Sequence, residues 1–533
     1  MAATVLQVGE VPPPLAAALT AKYDALVLPV DAGREDFLAE HGASVRAIVD
    51  AGRAPIDAKL MEALPNLGAI IHWPDGYETI DVDAARRLGI GVSNTADALT
   101  DAVADAAVGL ILMTVRSFGA AERYARAGRW SAEGPYPLAR DVTGSRVGIL
   151  GLGRIGVLVA ERLTAFGMTV IAYDPYVPPS RSTQLGVRMV GLDELLAEAD
   201  FISVHLPKNT ETAGLIGDRE LHLVKPEVRI VNAARGGIVD EAALASALRD
   251  GRVAGAGLDV YAREPCTDSP LFELDNVVMT PHLGASTSEA QEKAGIQVAR
   301  SVRLALDGEF VPDAVNVQGG AVAEELRPWL PLGEKLGRIF AALTGGAAPA
   351  VVVEARGELA GLDVSVLQLA ATKGLFGAVA EEPVTYVNAP LVAKERGVEV
   401  TLSTDETSPD WRNVLTVRGT APDGQLISVS GTLTGLRQAE RLVEVNGLDA
   451  EIAPADHMVF LGYSDRPGVV GTVGQILGGR NINIAGMQVC RHAQGGEALI
   501  VLTVDSAVPT DLLGDIAGAI GADVARVVDL DEI

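Results

Sequence analysis

A glycine pattern constrains this chain most: Gly151-Leu152-Gly153-Arg154-Ile155-Gly156 lies between an apolar run, Val147-Gly148-Ile149-Leu150, and a helical pattern from Val157 to Phe166. A buried strand, a tight turn and a helix start are expected in that order. Glycines there let the backbone turn and approach a pyrophosphate, and the helix N-terminus stabilises the phosphate charge. About twenty positions beyond the last glycine, Asp174 closes a second strand, Thr169 to Tyr173. A carboxylate at that place accepts hydrogen bonds from a free ribose 2′-hydroxyl and repels a 2′-phosphate. The expected cofactor is NAD rather than NADP.

At 533 residues the chain exceeds one ordinary core, and length alone suggests about three or four domains. Aromatics make up only 4%, so Val, Leu, Ile and Ala must fill the cores. The net charge of -27 argues against nucleic acid or an anionic membrane as partner. A small anionic substrate stays open, because a local basic pocket overrides the global field. Cys266 and Cys490 lie far apart, with no metal-ligand spacing and no disulfide framework. That pattern suits a reducing cytoplasm and predicts no metal site. The first fourteen residues carry no basic stretch followed by a long apolar one, so no secretory signal is expected. No window of about twenty residues is free of charge and turn formers, so no membrane span is expected either.

Short apolar strands alternate with helices up to Asn94, at Ala25–Leu28, Ala47–Val49 and Ala69–Ile71. Ala98 to Arg116 is a long apolar helical pattern broken by Asp101 and Asp105. Strands follow at Phe201–Val204, Val228–Val231 and Ala256–Val260. Such alternation predicts doubly wound parallel sheets. After a helical pattern at Glu289–Leu306, Gly308 to Gly320 reads as a linker. Two helical stretches and Val- and Thr-rich strands then suggest a separate α+β domain up to about Ala455. From His457 the order is β-α-β-β-α-β, a ferredoxin-like arrangement. The expected division is a flavodoxin-like substrate lobe (1–96 and 286–316), a Rossmann NAD lobe (97–285), an intervening α+β domain (317–454) and a ferredoxin-like terminal domain (455–533).

Three candidate groups stand beside strand ends: Arg235 in Asn232-Ala233-Ala234-Arg235-Gly236-Gly237, Glu264 in Tyr261-Ala262-Arg263-Glu264-Pro265, and His282 in Thr280-Pro281-His282-Leu283-Gly284. In open α/β sheets ligands bind beyond the carboxyl ends of strands, so these positions converge on the cofactor. Hydride transfer from a secondary alcohol needs a base for the hydroxyl proton, and an imidazole serves. A neighbouring carboxylate orients that imidazole. A guanidinium grips a substrate carboxylate and polarises the adjacent carbonyl.

In these blocks the chain resembles the D-isomer-specific 2-hydroxyacid dehydrogenases. The resemblance implies that Arg235 binds substrate and that Glu264 and His282 form a proton relay. It implies a cofactor site of Gly151, Gly153, Arg154, Ile155, Gly156, Asp174, Pro207, Thr212, Ala233, Ala234, Asp259, Gly284 and Ala285, with Asp259 at the nicotinamide amide. Tyr173-Asp174-Pro175-Tyr176 and the extension after about Asp313 are similar to the long-form branch that oxidises D-3-phosphoglycerate with NAD. That branch carries an intervening domain and a terminal ACT domain. Its ACT motifs fall here on Tyr463, Asp465 and Asn483, which implies feedback by L-serine. A homodimer packing through Ala98–Arg116, extended by ACT pairing to a homotetramer, is implied as well.

The first lobe departs from that branch. Ala51-Gly52-Arg53-Ala54 replaces an Arg-Ser-Ala-Thr-like loop, which makes Arg53 the candidate phosphate partner. His72-Trp73-Pro74-Asp75-Gly76-Tyr77-Glu78 replaces a glycine loop whose N–H groups receive the substrate carboxylate. Pro74 has no N–H, Asp75 repels an anion at close range, and Gly76 is left to supply an amide. Gly52–Ala58, Gly76–Asp81, Asn94–Asp105 and Ala127-Gly128-Arg129-Trp130 resemble the family's glyoxylate/hydroxypyruvate reductases instead. Trp130 then either closes a neighbouring subunit's pocket or sits in the core.

Overall fold

Short apolar runs separated by helices build four sheets among the described residues. The computed structural model describes residues 3–31, 33–74, 76–177, 185–317, 322–345, 348–377, 384–421 and 424–530, apart from the side chains of Ala96 and Asp97. The chain divides into two compact units, Met1–Asn94 with Val298–Ile533, and Thr95–Gln297.

In the first unit, β1 (Thr4–Val8), β2 (Asp24–Val27), β3 (Val45–Asp50), β4 (Ala69–His72) and β5 (Gly91–Ser93) form a parallel sheet in the order β2-β1-β3-β4-β5. This is the flavodoxin-like order. Its central strands are continuous apolar runs because both faces are covered: Leu6, Ile48 and Ile70 face one core cluster, and Val5, Val49 and Ile71 face another with Val298 and Val302. Two polar residues, Asp50 and His72, end β3 and β4 and pair in register.

In the second unit, β6 (Arg146–Leu150), β7 (Thr169–Tyr173), β8 (Arg188–Met189), β9 (Phe201–Val204), β10 (Arg229–Asn232), β11 (Gly255–Leu258) and β12 (Val277–Met279) form a parallel sheet ordered β12-β11-β10-β9-β6-β7-β8. That is the Rossmann order with one added strand. The strand reversal between β6 and β9 places the crevice beside the glycine turn. β11 ends at Leu258 rather than Val260, so Asp259 lies just past the strand, at its carboxyl end. The Ala96–Val115 helix packs on β10, β11 and the Arg154–Ala165 helix. Its Ala98–Val115 stretch has the length and composition of a membrane span, mean hydropathy 1.7, yet half of it is buried in the protein. Asp101 and Asp105 on its outer side receive Arg162 at 2.9 and 2.7 Å. Half of it is thus covered by the sheet and the neighbouring helix.

The rest of the first unit holds two further sheets. β13 (Ala350–Gly357), β14 (Glu399–Asp405), β15 (Asn413–Thr420), β16 (Leu426–Thr434), β17 (Ala439–Val445) and β18 (Leu448–Ile452) are ordered β14-β13-β15-β16-β17-β18, with only the β13–β14 pair parallel. The two expected helices, Trp329–Thr344 and Ser365–Gly377, cover it; a third, Ala389–Glu395, is too short to leave a periodic signal. β19 (His457–Ser464), β20 (Ile484–Arg491), β21 (Glu497–Val504) and β22 (Val524–Asp529) form an antiparallel sheet ordered β20-β21-β19-β22, with helices Val469–Gly479 and Thr510–Ile520. This is the expected ferredoxin-like unit. Trp130 is 69% exposed, so the core alternative for it is overturned.

Candidate active site

Each glycine of the fingerprint has a separate task. Gly151 has φ +95°, which only glycine adopts without strain, and a Cβ there would lie 2.7 Å from the His205 carbonyl oxygen. A Cβ on Gly156 would lie 2.0 Å from the Gly151 oxygen, so this residue lets the helix sit on the turn. Gly153 differs: a Cβ there would enter open space. That space adjoins the start of the Arg154–Ala165 helix, whose first turn has no side-chain cap. Uncapped N–H groups beside a side-chain-free cradle fit a pyrophosphate. Asp174 accepts the Leu152 N–H and the Tyr176 N–H, both at 2.9 Å, which sets its carboxylate against the glycine turn. These residues fit NAD. Thr212 donates to the Pro207 carbonyl at 2.6 Å and Asn209 accepts the Thr212 N–H, so the loop after β9 is fixed locally.

The structure brings two of the candidate residues together. His282 Nδ1 lies 2.6 Å from Glu264 Oε2, and the other Glu264 oxygen accepts the Tyr261 N–H at 2.9 Å. Both side chains keep solvent access, 51% and 33%. With Nδ1–H directed at the carboxylate, Nε2 is left as the acceptor nitrogen of the neutral ring. His282 adopts φ +51°, so the His282 loop is bent rather than extended. Asp259, 1% exposed, holds that loop. Its carboxylate accepts the Leu283 N–H at 2.8 Å, the Gly284 N–H at 2.7 Å and the Thr280 hydroxyl at 2.6 Å. Three of the roughly four acceptor sites of a carboxylate are thus taken by the protein. The Tyr261 hydroxyl donates to the Thr280 carbonyl at 2.7 Å, and burial pushes its phenol up to about 12.

Arg235 follows β10, and its Nη1 donates to the Ala234 carbonyl at 2.9 Å. Asn232, 2% exposed, shapes this turn by accepting the Ala234 N–H and donating to the Arg235 carbonyl. Gly236 then brings two loops together: a Cβ there would lie 1.8 Å from the Tyr261 carbonyl oxygen. That contact seats the Arg235 loop against the loop bearing Glu264. Asn232, Tyr261 and Gly236 were missed as site builders. Of these only Asn232 leaves a sequence signal, a polar residue that closes an apolar strand; Gly236 and Tyr261 lie four and three residues beyond their strands.

In the first unit Arg53 is exposed, and Gly76 is half-buried with its carbonyl accepting from His72 Nε2 at 2.6 Å. Asp75 lies outside the described residues. In the terminal sheet Tyr463 is buried. Asp465 is engaged by the Gly495 N–H at 3.0 Å and the Arg491 guanidinium, which hold its carboxyl below the usual carboxylate range. Asn483 donates to Asp505 at 2.8 Å, so Asp465 and Asn483 answer to different partners. His457 pairs with Asp529 at 2.7 Å and Cys490 is buried. No group of three or more metal-ligating side chains occurs among the described residues.

Comparison with known proteins agrees with this fold. Residues 108–284 match the D-isomer specific 2-hydroxyacid dehydrogenase NAD binding domain, 325–446 the D-3-phosphoglycerate dehydrogenase intervening domain, and 457–521 the ACT domain. The chain is 48% identical over 475 residues to the D-3-phosphoglycerate dehydrogenase of Mycobacterium leprae, covering 89% of this chain and 90% of that one. It is 47% identical over 501 residues to the enzyme of that name from Mycobacterium tuberculosis, covering 94% of each. Among solved structures, a glyoxylate reductase from Paecilomyes thermophila matches with a TM-score of 0.54 and 36% identity, covering 59% of this chain and 98% of the reductase.

Proposed function

The chain belongs to the D-isomer-specific 2-hydroxyacid dehydrogenases, and we propose that it oxidises D-3-phosphoglycerate to 3-phosphohydroxypyruvate with NAD, the entry step of L-serine synthesis. The observation that carries this reading is the His282–Glu264 pair at 2.6 Å, set on loops at the carboxyl ends of β11 and β12, strands of the sheet whose β6 leads into the glycine cradle. NAD, when bound, accepts the hydride that leaves the substrate's hydroxyl-bearing carbon. Nε2 of His282 takes the hydroxyl proton, and Glu264 stabilises the imidazolium that results. Arg235 grips the substrate carboxylate and the oxygen that becomes a carbonyl. Asp174 receives the ribose hydroxyls. Asp259 keeps the His282 loop in place, with one acceptor site left for the nicotinamide amide. Arg53 is the cation assigned to the substrate phosphate, and Gly76 belongs to the loop that meets the carboxylate.

L-serine is the effector of the ACT domain in this reading, with Tyr463, Asp465 and Asn483 around it. Its ammonium competes with Arg491 for Asp465, so binding entails a local exchange of partners. The chain works as a cytoplasmic homodimer through Ala98–Arg116, or as a tetramer through ACT pairing. The test is NADH formation from NAD and D-3-phosphoglycerate, followed under millimolar L-serine. Formation that serine suppresses supports the reading; unchanged activity removes the effector. A second reading, hydroxypyruvate or glyoxylate reduction, is favoured by the first 130 residues and by the similarity to a glyoxylate reductase structure. NADH oxidation by hydroxypyruvate without any D-3-phosphoglycerate activity would select it.

A further inference from the structure

We infer that Tyr176 and Glu211 form a latch across the NAD crevice, and that cofactor enters and leaves only while their hydrogen bond is broken; this rests on the NAD assignment. The Tyr176 hydroxyl donates to Glu211 Oε2 at 2.7 Å. Tyr176 stands on the loop after β7, and Glu211 on the loop after β9. In the sheet those two strands flank β6, in the order β9-β6-β7. β6 itself runs into the glycine turn. A bond between the two flanking loops therefore passes over the carboxyl end of β6. That is the switch point at which open α/β sheets bind their ligands. The open space at Gly153 and the uncapped helix start lie at this same turn.

Both ends of the latch are anchored through their backbones. Asp174 accepts the Tyr176 N–H on one oxygen and the Leu152 N–H of the glycine turn on the other, each at 2.9 Å. On the opposite bank Asn209 Oδ1 accepts the N–H groups of Glu211 and Thr212, each at 2.9 Å. The Thr212 hydroxyl accepts the Asn209 N–H at 2.9 Å and donates to the Pro207 carbonyl at 2.6 Å. Neither loop has to unfold for the latch to part. Tyr176 is 77% exposed and Glu211 is exposed, so rotation of two side chains is enough. Such rotations are far faster than cofactor exchange. Opening is then a rapid equilibrium before every passage, and its population scales the rate in both directions. The Glu211 hydrogen bond and its charge raise the Tyr176 phenol above its ordinary value, so the hydroxyl keeps the proton it donates. A latch that closes alike before and after binding changes rates without changing affinity, because only differential interaction shifts an equilibrium. A side chain that touches the cofactor changes affinity.

That difference supplies the test. Y176F removes the donor and keeps the ring, and E211A removes the acceptor. Stopped-flow fluorescence of NADH with the full-length protein gives the association and dissociation rate constants, and their ratio gives Kd. In Y176F both rate constants should rise about fivefold, the population factor of one ordinary hydrogen bond, with Kd held within about twofold. The double variant Y176F/E211A should release NADH no faster than Y176F, because the same bond is lost only once. Faster release alone, with Kd raised in step, would make Tyr176 a contact of the cofactor and overturn the inference. Unchanged rates in Y176F would overturn it, as would still faster release from the double variant. Wild-type protein that binds no NADH would overturn the NAD assignment itself, a failure distinct from rates that ignore the latch.

Discussion

Replacing Asp259 with asparagine tests whether this buried carboxylate holds the His282 loop. In the native site two backbone N–H groups, from Leu283 and Gly284, and the Thr280 hydroxyl all point at it. An asparagine has one acceptor oxygen and one NH2 group. Whichever way the amide turns, at least one donor at 2.7 or 2.8 Å then faces another donor. Thr280 can rotate its hydroxyl, but a backbone N–H cannot turn away without moving the loop. Losing a charge-assisted bond of this kind costs about 2 kcal/mol, which is about a 30-fold increase in local opening. The assay is hydrogen exchange at the Leu283 and Gly284 amides, with kcat measured in parallel. The account predicts that protection at these amides falls by roughly that factor and that kcat falls with it, because His282 lies within the same loop. Unchanged protection, with only KM for NAD raised, would refute the reasoning and leave Asp259 a simple nicotinamide contact.

Three further outcomes follow from particular contacts. E264Q keeps a hydrogen bond to Nδ1 but removes the charge that stabilises the imidazolium, so kcat should fall on the order of 10²-fold with KM for NAD unmoved; a loss below threefold would contradict the relay. G236A cannot place its Cβ 1.8 Å from the Tyr261 oxygen, so the Arg235 and Glu264 loops must part, and kcat/KM for the 2-oxo acid should fall more than about tenfold while NADH binding by fluorescence persists. The half-buried His205 has its imidazole pushed down to about 4 by desolvation, and its buried Nδ1 lacks a hydrogen-bond partner. Its folded value lies below its unfolded one, so the unfolded chain binds the extra proton and stability is lost as pH falls from about 6.5 to about 4. The cost reaches at most about 3 kcal/mol, and H205Q should therefore lose less Tm than wild type across that window; identical Tm slopes would refute it.

The fold was legible wherever a periodic apolar run was long enough to carry a signal. The β6 strand, the glycine turn and the following helix could be placed because each residue type has a separate steric task. The ferredoxin-like order was equally plain, since eight-residue strands such as β19 and β21 alternate with two apolar helices. By contrast, β8 has two residues and β12 three, with no fully buried position, too short for any pattern. The candidate trio could be proposed because His282, Glu264 and Arg235 follow strand ends. What held them there could not. Asn232, Asp259 and Gly236 act through backbone contacts between loops distant in sequence, and those contacts exist only once the sheet is formed. Asp50 is a further case. It ends an apolar run just as His72 does, but only the β3–β4 register turns two unremarkable polar residues into a sealed pair.

The most direct test of the central claim is kcat/KM with NADH for 3-phosphohydroxypyruvate and for hydroxypyruvate, side by side. The account predicts a strong preference for the phosphorylated substrate, and predicts that R53A reduces that preference by raising KM for it alone. Equal or better turnover of hydroxypyruvate would contradict the account, and would mean that the first lobe sets a reductase specificity despite the terminal domains.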